Sequence, residues 1–451
     1  MKRAFVMIAM LTCLLAVSAF AADVQWGPIV PRISTPEYKL PEGLLDAIKA
    51  DGSTELTAYN WGDLEYDPAT ALNGEEYARM TRVKINFVGT PDEQMQPKLQ
   101  ALFIARSPAV DIVPLDETIF VNFAKAGWLE PVDFLWDEES LNLYSSGLRG
   151  AIIDGHHYST PQVGRIVDML YYRPSMLKAA GYDAPPKTWA EFDEMVQKLT
   201  LDKDGDGTID QWGYAFRGGG VLDGALTLKA GSLLLGVNPD NYQDTGKVKW
   251  NDPATVQYVE RLVKMRNEWK VVPEGVTAYQ HGDVADLFLS GNIAMVIDPT
   301  YLYARCAANE SPIKDDFAVA PQPLAKEGGP ATLVMHWNGW AVSKFSQHKT
   351  AAFGWLDWYR SWPAQVNEFA MENNDIFHLP AYSDPKSQEV PYYAIVEEAL
   401  KDTVVDLYLN QGAAYKSVIQ ELQNALTGQK TAQQAMDDAQ KKVDEVLKQT
   451  W

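Results

Sequence analysis

The sequence predicts an α/β fold with mostly parallel sheets and enough chain for two domains. Short β-rich apolar runs alternate with amphipathic segments at helical spacing, the pattern of βαβ units. The chain has 451 residues, and the roughly 430 that follow an export-like start suffice for two cores. In that stretch Cys306 is the lone cysteine, so the cores must hold without an internal disulfide.

Taken in order, residues 1–21 read as a signal segment. Lys2 and Arg3 give a positive start, "AFVMIAMLTCLLAVSAF" an apolar run, and Ala19-Phe20-Ala21 a small-residue cleavage site near Ala21. Cys13 lies mid-run after Leu11-Thr12, without the small residue that lipid attachment wants before it, so a soluble exported protein is expected, in the periplasm. Cleavage takes the 39 basic residues to 37 against 60 acidic ones, a mature balance of −23. Such a surface argues against nucleic acid and anionic lipid as partners.

Residues 22–50 are Pro-rich and aperiodic, an arm laid over the surface. "STELTAY", "VKINFV" and "AVDIVPL" read as strands, separated by helical "EEYARMTR" and "EQMQPKLQALFIAR" and followed by the helix "IFVNFAKAGW". "DGHHYSTP" reads as a hairpin, since adjacent His156 and His157 point to opposite faces and cannot easily share an ion. "VDMLYYR" is a strand. "TWAEFDEMVQKLT" carries a Thr188/Glu191 capping box, and "DPATVQYVERLVKMRNEW" begins with Asp252 as cap and Pro253 behind it. "DVADLFLSGNIAMVID" is helix, glycine stop, strand; "HKTAAFGWLDWYRSW" is a helix; and the tail gives two helices, the second capped by Thr431 and Gln434. Cys306 reads as a small buried hydrophobe.

In "LTLDKDGDGTIDQWGYAF", Asp202, Asp204, Asp206, Thr208 and Asp210 take positions 1, 3, 5, 7 and 9 of an EF-hand-like loop, with Gly207 at the turn. Position 12 is Gly213 rather than a bidentate glutamate, and a strand rather than a helix follows, so a calcium sensor is not predicted. A structural calcium clip and a metal-free Asp/Gly turn both fit.

The loop's neighbours carry a resemblance. "LYYRPSMLKAAGYDAPPKTWAEFDEMVQKLTLDKDGDGTIDQWGYAF" resembles a segment of the extracellular solute-binding proteins of ABC importers, the maltose-binding-protein-like family 1. "LQALFIARSPAVDIVPLD" with "AKAGWLEPVD", "FLSGNIAMVIDPTY", "WNGWAVSKFSQHKTAAFGWLDW" and "ALTGQKTAQQAMDDAQKKVDEVL" follow in the family order, over residues 52–449. The resemblance implies a type II periplasmic binding protein fold. One lobe would hold 51–161 plus 298–340, the other 162–297 plus 341–451, with the ligand in the cleft between. It implies an ABC permease as partner, no required cofactor, no catalysis and a monomer.

Ligands of open α/β sheets sit beyond the carboxyl ends of strands. That rule selects Asn60, Trp61 and Asp63 after the first strand, Asp116 after the third, Asp298 and Tyr301 after the return strand, and Asn338 and Trp340 at the next crossing. Family positions add Arg217 and Tyr415, with Tyr214 and Phe216. Planar polar groups for hydroxyls and flat rings for C–H faces suit a sugar. Trp189, Trp269, Trp355 and Trp358 sit inside amphipathic helices and read as packing. The rival readings are a secreted carbohydrate hydrolase, for which no acid/base pair is fixed by any local motif, and the same fold holding a polyamine or phosphoester.

Overall fold

The structure is a computed structural model that describes residues 24–62, 68–144, 152–164, 168–220, 249–329, 333–334, 337–372, 375–400, 403–404 and 410–448. In chain order its main elements are α1 (Leu44–Asp51), β1 (Glu55–Trp61), α2 (Pro68–Thr81), β2 (Lys84–Thr90), α3 (Asp92–Ile104), β3 (Ile112–Asp116), α4 (Phe120–Lys125), β4 (Thr160–Gly164), β5 (Asp168–Tyr172), α5 (Trp189–Lys198), β6 (Trp212–Ala215), α6 (Pro253–Asn267), α7 (His281–Leu289), β7 (Ile293–Pro299), α8 (Tyr301–Ala307), β8 (Ala318–Ala320), β9 (Trp337–Val342), α9 (Lys349–Tyr359), α10 (Trp362–Glu372), α11 (Gln411–Leu426) and α12 (Ala432–Leu447).

Two sheets organise two lobes. The first has the order β2-β1-β3-β9-β4, with β9 the strand that runs against its neighbours. The second has the order β8-β5-β7-β6. It is mixed rather than mostly parallel: β6 and β7 are parallel, while β5 runs against β7 and β8. The crossing from β4 delivers the chain to the edge where β7 ends, so β5 must start there and run back; Asp168 lies opposite Pro299.

The expected lobe boundaries need correction. β8 pairs with β5, so 298–320 stays with the second lobe, and α9 and α10 pack on the first through α1, α2, β4 and β9, so the stretch from 341 through 372 belongs there. Sequence offered turn signals at these places but no sign of which sheet edge the chain would seek. Two of the connections between lobes pair with each other, Leu333–Val334 running parallel to Thr403–Val404. The hairpin at 152–157 is confirmed, with His156 on Asp133 at 2.9 Å and His157 stacked on Trp136.

Local chemistry explains the helix starts. Thr188 and Thr431 form capping boxes with Glu191 and Gln434, and Asp252 accepts the Ala254 N–H at 3.1 Å. The N-terminal arm is fastened more firmly than its composition suggested. Val24, Trp26, Ile29 and Ile33 are buried, and its last part is the helix α1. Arg32 reaches Asp357 of α9 through two bonds at 2.8 and 2.9 Å, joined by Tyr38 and Arg360 at 2.8 Å each. Burial alone would raise the Asp357 carboxyl, but Arg360 and Arg32 hold it below its ordinary range. At 0 % exposure it is a charge that the fold cannot leave unpaired. Cys306 is buried, and burial pushes its thiol up to about 12, as expected of an inert cysteine.

Candidate functional site

The edge of the first lobe that the strand-end rule selects is set by strand direction. β1 and β3 end there, and because β9 is antiparallel its first residues lie at the same edge, with Asn338 in register with Asp116. Asp116 is the last residue of β3. Its Oδ1 accepts the Thr118 N–H at 2.8 Å, the Thr118 hydroxyl at 2.6 Å and the Ile119 N–H at 3.1 Å, which turns the chain into α4. Asn60, 1 % exposed at the end of β1, accepts from Gln162 Nε2 at 3.3 Å, and Gln365 in turn donates to the Gln162 carbonyl at 3.1 Å. Trp61 follows, partly exposed, with its indole Nε1 buried and without a hydrogen-bond partner among the described residues. The strand is released by Gly62 at φ +66°, where a side chain would be strained. Asp63 lies outside the described residues.

Trp340 is not at this edge, and its expected ligand role is corrected. It sits opposite Pro114 and Thr160 in the middle of the sheet, 0 % exposed, and packs edge-on with Tyr359 at 5.7 Å and Trp355 at 6.5 Å. Asn338 starts the strand at the edge, whereas two residues further on the ring is beneath α9. Tyr214 and Phe216 are likewise core rings, Tyr214 packing on Phe192 at 5.1 Å. Trp189, Trp355 and Trp358 are buried as packing residues, and Trp269 packs partly buried against the same core.

The corresponding edge of the second lobe is ionic. Arg217, just past β6 and 4 % exposed, places Nη2 at 3.3 Å from both carboxylate oxygens of Asp168 and Nη1 at 3.4 Å from Asp298. Asp298 also accepts the Tyr301 hydroxyl at 2.7 Å. Thus Arg217, Asp298 and Tyr301 are brought together. Asp168 was missed: the strand-end rule looked only at carboxyl ends, and an antiparallel strand presents its first residue there. Tyr415 is fully buried on α11, its hydroxyl accepting from Gln411 at 2.5 Å and its ring edge-on to Trp250 at 6.0 Å. The start of α11 meets the first lobe. The Asn410 N–H donates to Asn122 at 2.9 Å, and a Cβ on Gly412 would lie 3.5 Å from Thr118, beside Asp116.

Apart from these edges, Asp202, Asp204 and Asp210 bring carboxylate oxygens within 4.8 Å of one another on the surface. Asp202 accepts N–H groups from Gly207 at 2.8 Å and Gly205 at 2.7 Å, with the Gly207 bond first in holding its carboxyl below the ordinary range. Asp206 accepts the Thr208 N–H at 2.7 Å and is not among the three converging carboxylates. Among the described residues, no helix is long and apolar enough to cross a membrane.

Two sheet-centred lobes, with polar and aromatic groups at the facing kind of strand end in each, define a two-lobed solute-binding architecture. Solved structures share it. Maltose-bound MalE3 of T. maritima matches with a TM-score of 0.76 and 22% identity, covering 87% of this chain and 100% of that one. The GacH receptor of Streptomyces glaucescens matches at 0.75 and 18%, covering 88% and 100%. The chain belongs to the bacterial extracellular solute-binding protein family, whose model matches residues 62–366. Its sequence is 25% identical over 284 residues to a probable ABC transporter-binding protein of Deinococcus radiodurans, 61% of this chain and 65% of that one. It is 24% identical over 310 residues to the arabinooligosaccharide-binding protein of Bacillus subtilis, 66% and 67%. It is 23% identical over 367 residues to that organism's maltodextrin-binding protein, 76% and 82%. The matches thus span about two thirds of the length of the first two relatives.

Proposed function

We propose that this protein is the periplasmic solute-binding component of an ABC importer, taking a sugar or oligosaccharide between its lobes and passing it unaltered to membrane permease subunits. The observation that supports this best is the pairing of two unlike edges: Asn60, Trp61, Asp116 and Asn338 on one lobe, Asp168, Arg217, Asp298 and Tyr301 on the other. The first offers a partly exposed ring and neutral amides, the second fixed charges that hydrogen-bond hydroxyls, the two contacts a carbohydrate needs. Relatives named for arabino-oligosaccharide and maltodextrin support the sugar class. In this reading the protein acts as a monomer, its signal segment is removed in export, and the lobes close by hinge rotation.

The test is thermal unfolding against a panel of mono- and oligosaccharides, a polyamine and a phosphoester, joined to mass spectrometry of co-purified ligand. A sugar should raise Tm by linkage and be recovered chemically intact. Stabilisation by the polyamine or phosphoester alone, or cleavage of the sugar, would refute the reading.

The proposal extends to a structural calcium at Asp202, Asp204 and Asp210. The three converging carboxylates suit a hard cation, and Asp206 and the Thr208 carbonyl would complete its oxygen ligands. Calcium added after chelation should raise Tm by a few degrees at about millimolar concentration; an unchanged Tm assigns the loop to a metal-free turn.

A further inference from the structure

A groove of about 410 Å³ opens on the second lobe between α11 and the segment that follows β6. Gln420, Gln423, Asn424 and Thr427 line one wall, at the spacing of a single helix face, and Gln429, Thr277 and the backbone of Gly219 and Ala278 complete it. Among the described residues that line it, none is charged, in a chain with 39 basic and 60 acidic residues. The groove's floor is built by the "RGGG" run. The Gly218 N–H donates to the Val276 carbonyl and the Gly219 N–H to the Tyr279 carbonyl, both at 2.9 Å. A Cβ on Gly218 would run into the Val276 carbonyl oxygen and one on Gly219 into that of Ala278, so only glycine lets these segments meet. Gln423 ties the wall to the floor, donating to the Thr277 carbonyl at 3.2 Å and the Gly218 carbonyl at 3.4 Å. The groove's lining begins at Gly219, two residues beyond Arg217, the cation of the ionic edge, and its helix wall belongs to α11, whose start meets the first lobe.

We propose that this groove is an accessory carbohydrate subsite, which receives the outer units of an oligosaccharide whose inner units are held between the lobes. The proposal rests on the sugar reading above. An uncharged wall of amides and hydroxyls offers donors and acceptors together and no counter-ion, which suits a neutral polyhydroxylated chain and disfavours ionic ligands. Its volume is on the scale of one to two sugar units. Its described residues include no aromatic platform, so they contribute hydrogen bonds, and their effect is a length preference rather than the main affinity.

The test uses the full mature chain with two ladders, α-1,4-glucans and α-1,5-arabinans of two to seven units. Amide hydrogen exchange is followed separately in the peptides around Tyr59–Trp61 and around Gln420–Gln429. Protection of the first region by every bound member, and of the second only by the longer ones, is expected. A variant with Gln420→Ala and Thr427→Ala, both exposed side chains, should bind the longest ligand about tenfold more weakly and the shortest one unchanged. Protection of Tyr59–Trp61 at all lengths with none in the groove overturns the subsite and leaves the sugar reading standing. Protection of the groove alone would make it a separate carbohydrate site and overturns both its accessory role and the interlobe reading. Protection of neither region by either ladder overturns both.

Discussion

The two ligand-side edges reach similar burial by opposite means. On the first lobe, Asp116 is held by the turn that follows it, through bonds to residues two and three positions on. On the second, Arg217 is held by Asp168 and Asp298, which lie 49 positions before it and 81 after, so three distant segments must arrive before both pairs form. A local turn tolerates loss of one bond, whereas an ionic group that is nearly dry does not. The first edge should therefore lose ligand contacts without losing its fold, and the second should lose both.

The most severe way to break this contrast is Arg217→Ala. It removes the guanidinium from beside Asp298, a carboxylate at 0 % exposure, and about 3–5 kcal/mol of stability should disappear in urea unfolding; a loss below about 1 kcal/mol would show the second edge to be as forgiving as the first. Trp340→Ala should cost a similar 3–5 kcal/mol, now by cavity formation among Trp355 and Tyr359. Affinity lost at intact stability would return Trp340 to the ligand and undo its placement in the core. Glu421 sharpens the comparison from outside both edges. Burial would raise its carboxyl, but hydrogen bonds from Lys430, Lys442 and Asn424 outweigh this and bring it down to about 2. Its folded value lies below its unfolded one, so its contribution is complete above about pH 4.5 and fades as pH falls toward 2. At most about 3 kcal/mol is involved, and Glu421→Gln should flatten that acid limb in a stability–pH series. The smallest effect on folding belongs to Trp61→Ala: an unchanged Tm with about tenfold weaker sugar binding by calorimetry. A collapsed Tm would mean that the first edge is structural after all.

Much of this was legible in the sequence, for reasons visible in particular residues. The Thr188/Glu191 and Thr431/Gln434 boxes are local, and each forms as read. Parallel strands announce their carboxyl ends by where they stop, and Asn60, Trp61 and Asp116 stand at such ends. What failed was non-local. Whether β9 or β5 would run against its neighbours depends on which edge the chain crosses to, and from that followed the overlooked Asp168, the misplaced Trp340 and the shifted lobe boundaries. The arm's grip was hidden for the same reason: Arg32 and Asp357 are 325 positions apart, and neither spacing nor periodicity links them.

The short parallel ladder joining Leu333–Val334 to Thr403–Val404 constrains any motion of the whole. Two strands of the neck laced side by side cannot slip past each other without breaking backbone bonds, so they behave as one axle. In the proposed reading, opening and shutting is a swing about that axle, with the mouth travelling furthest on the side away from it.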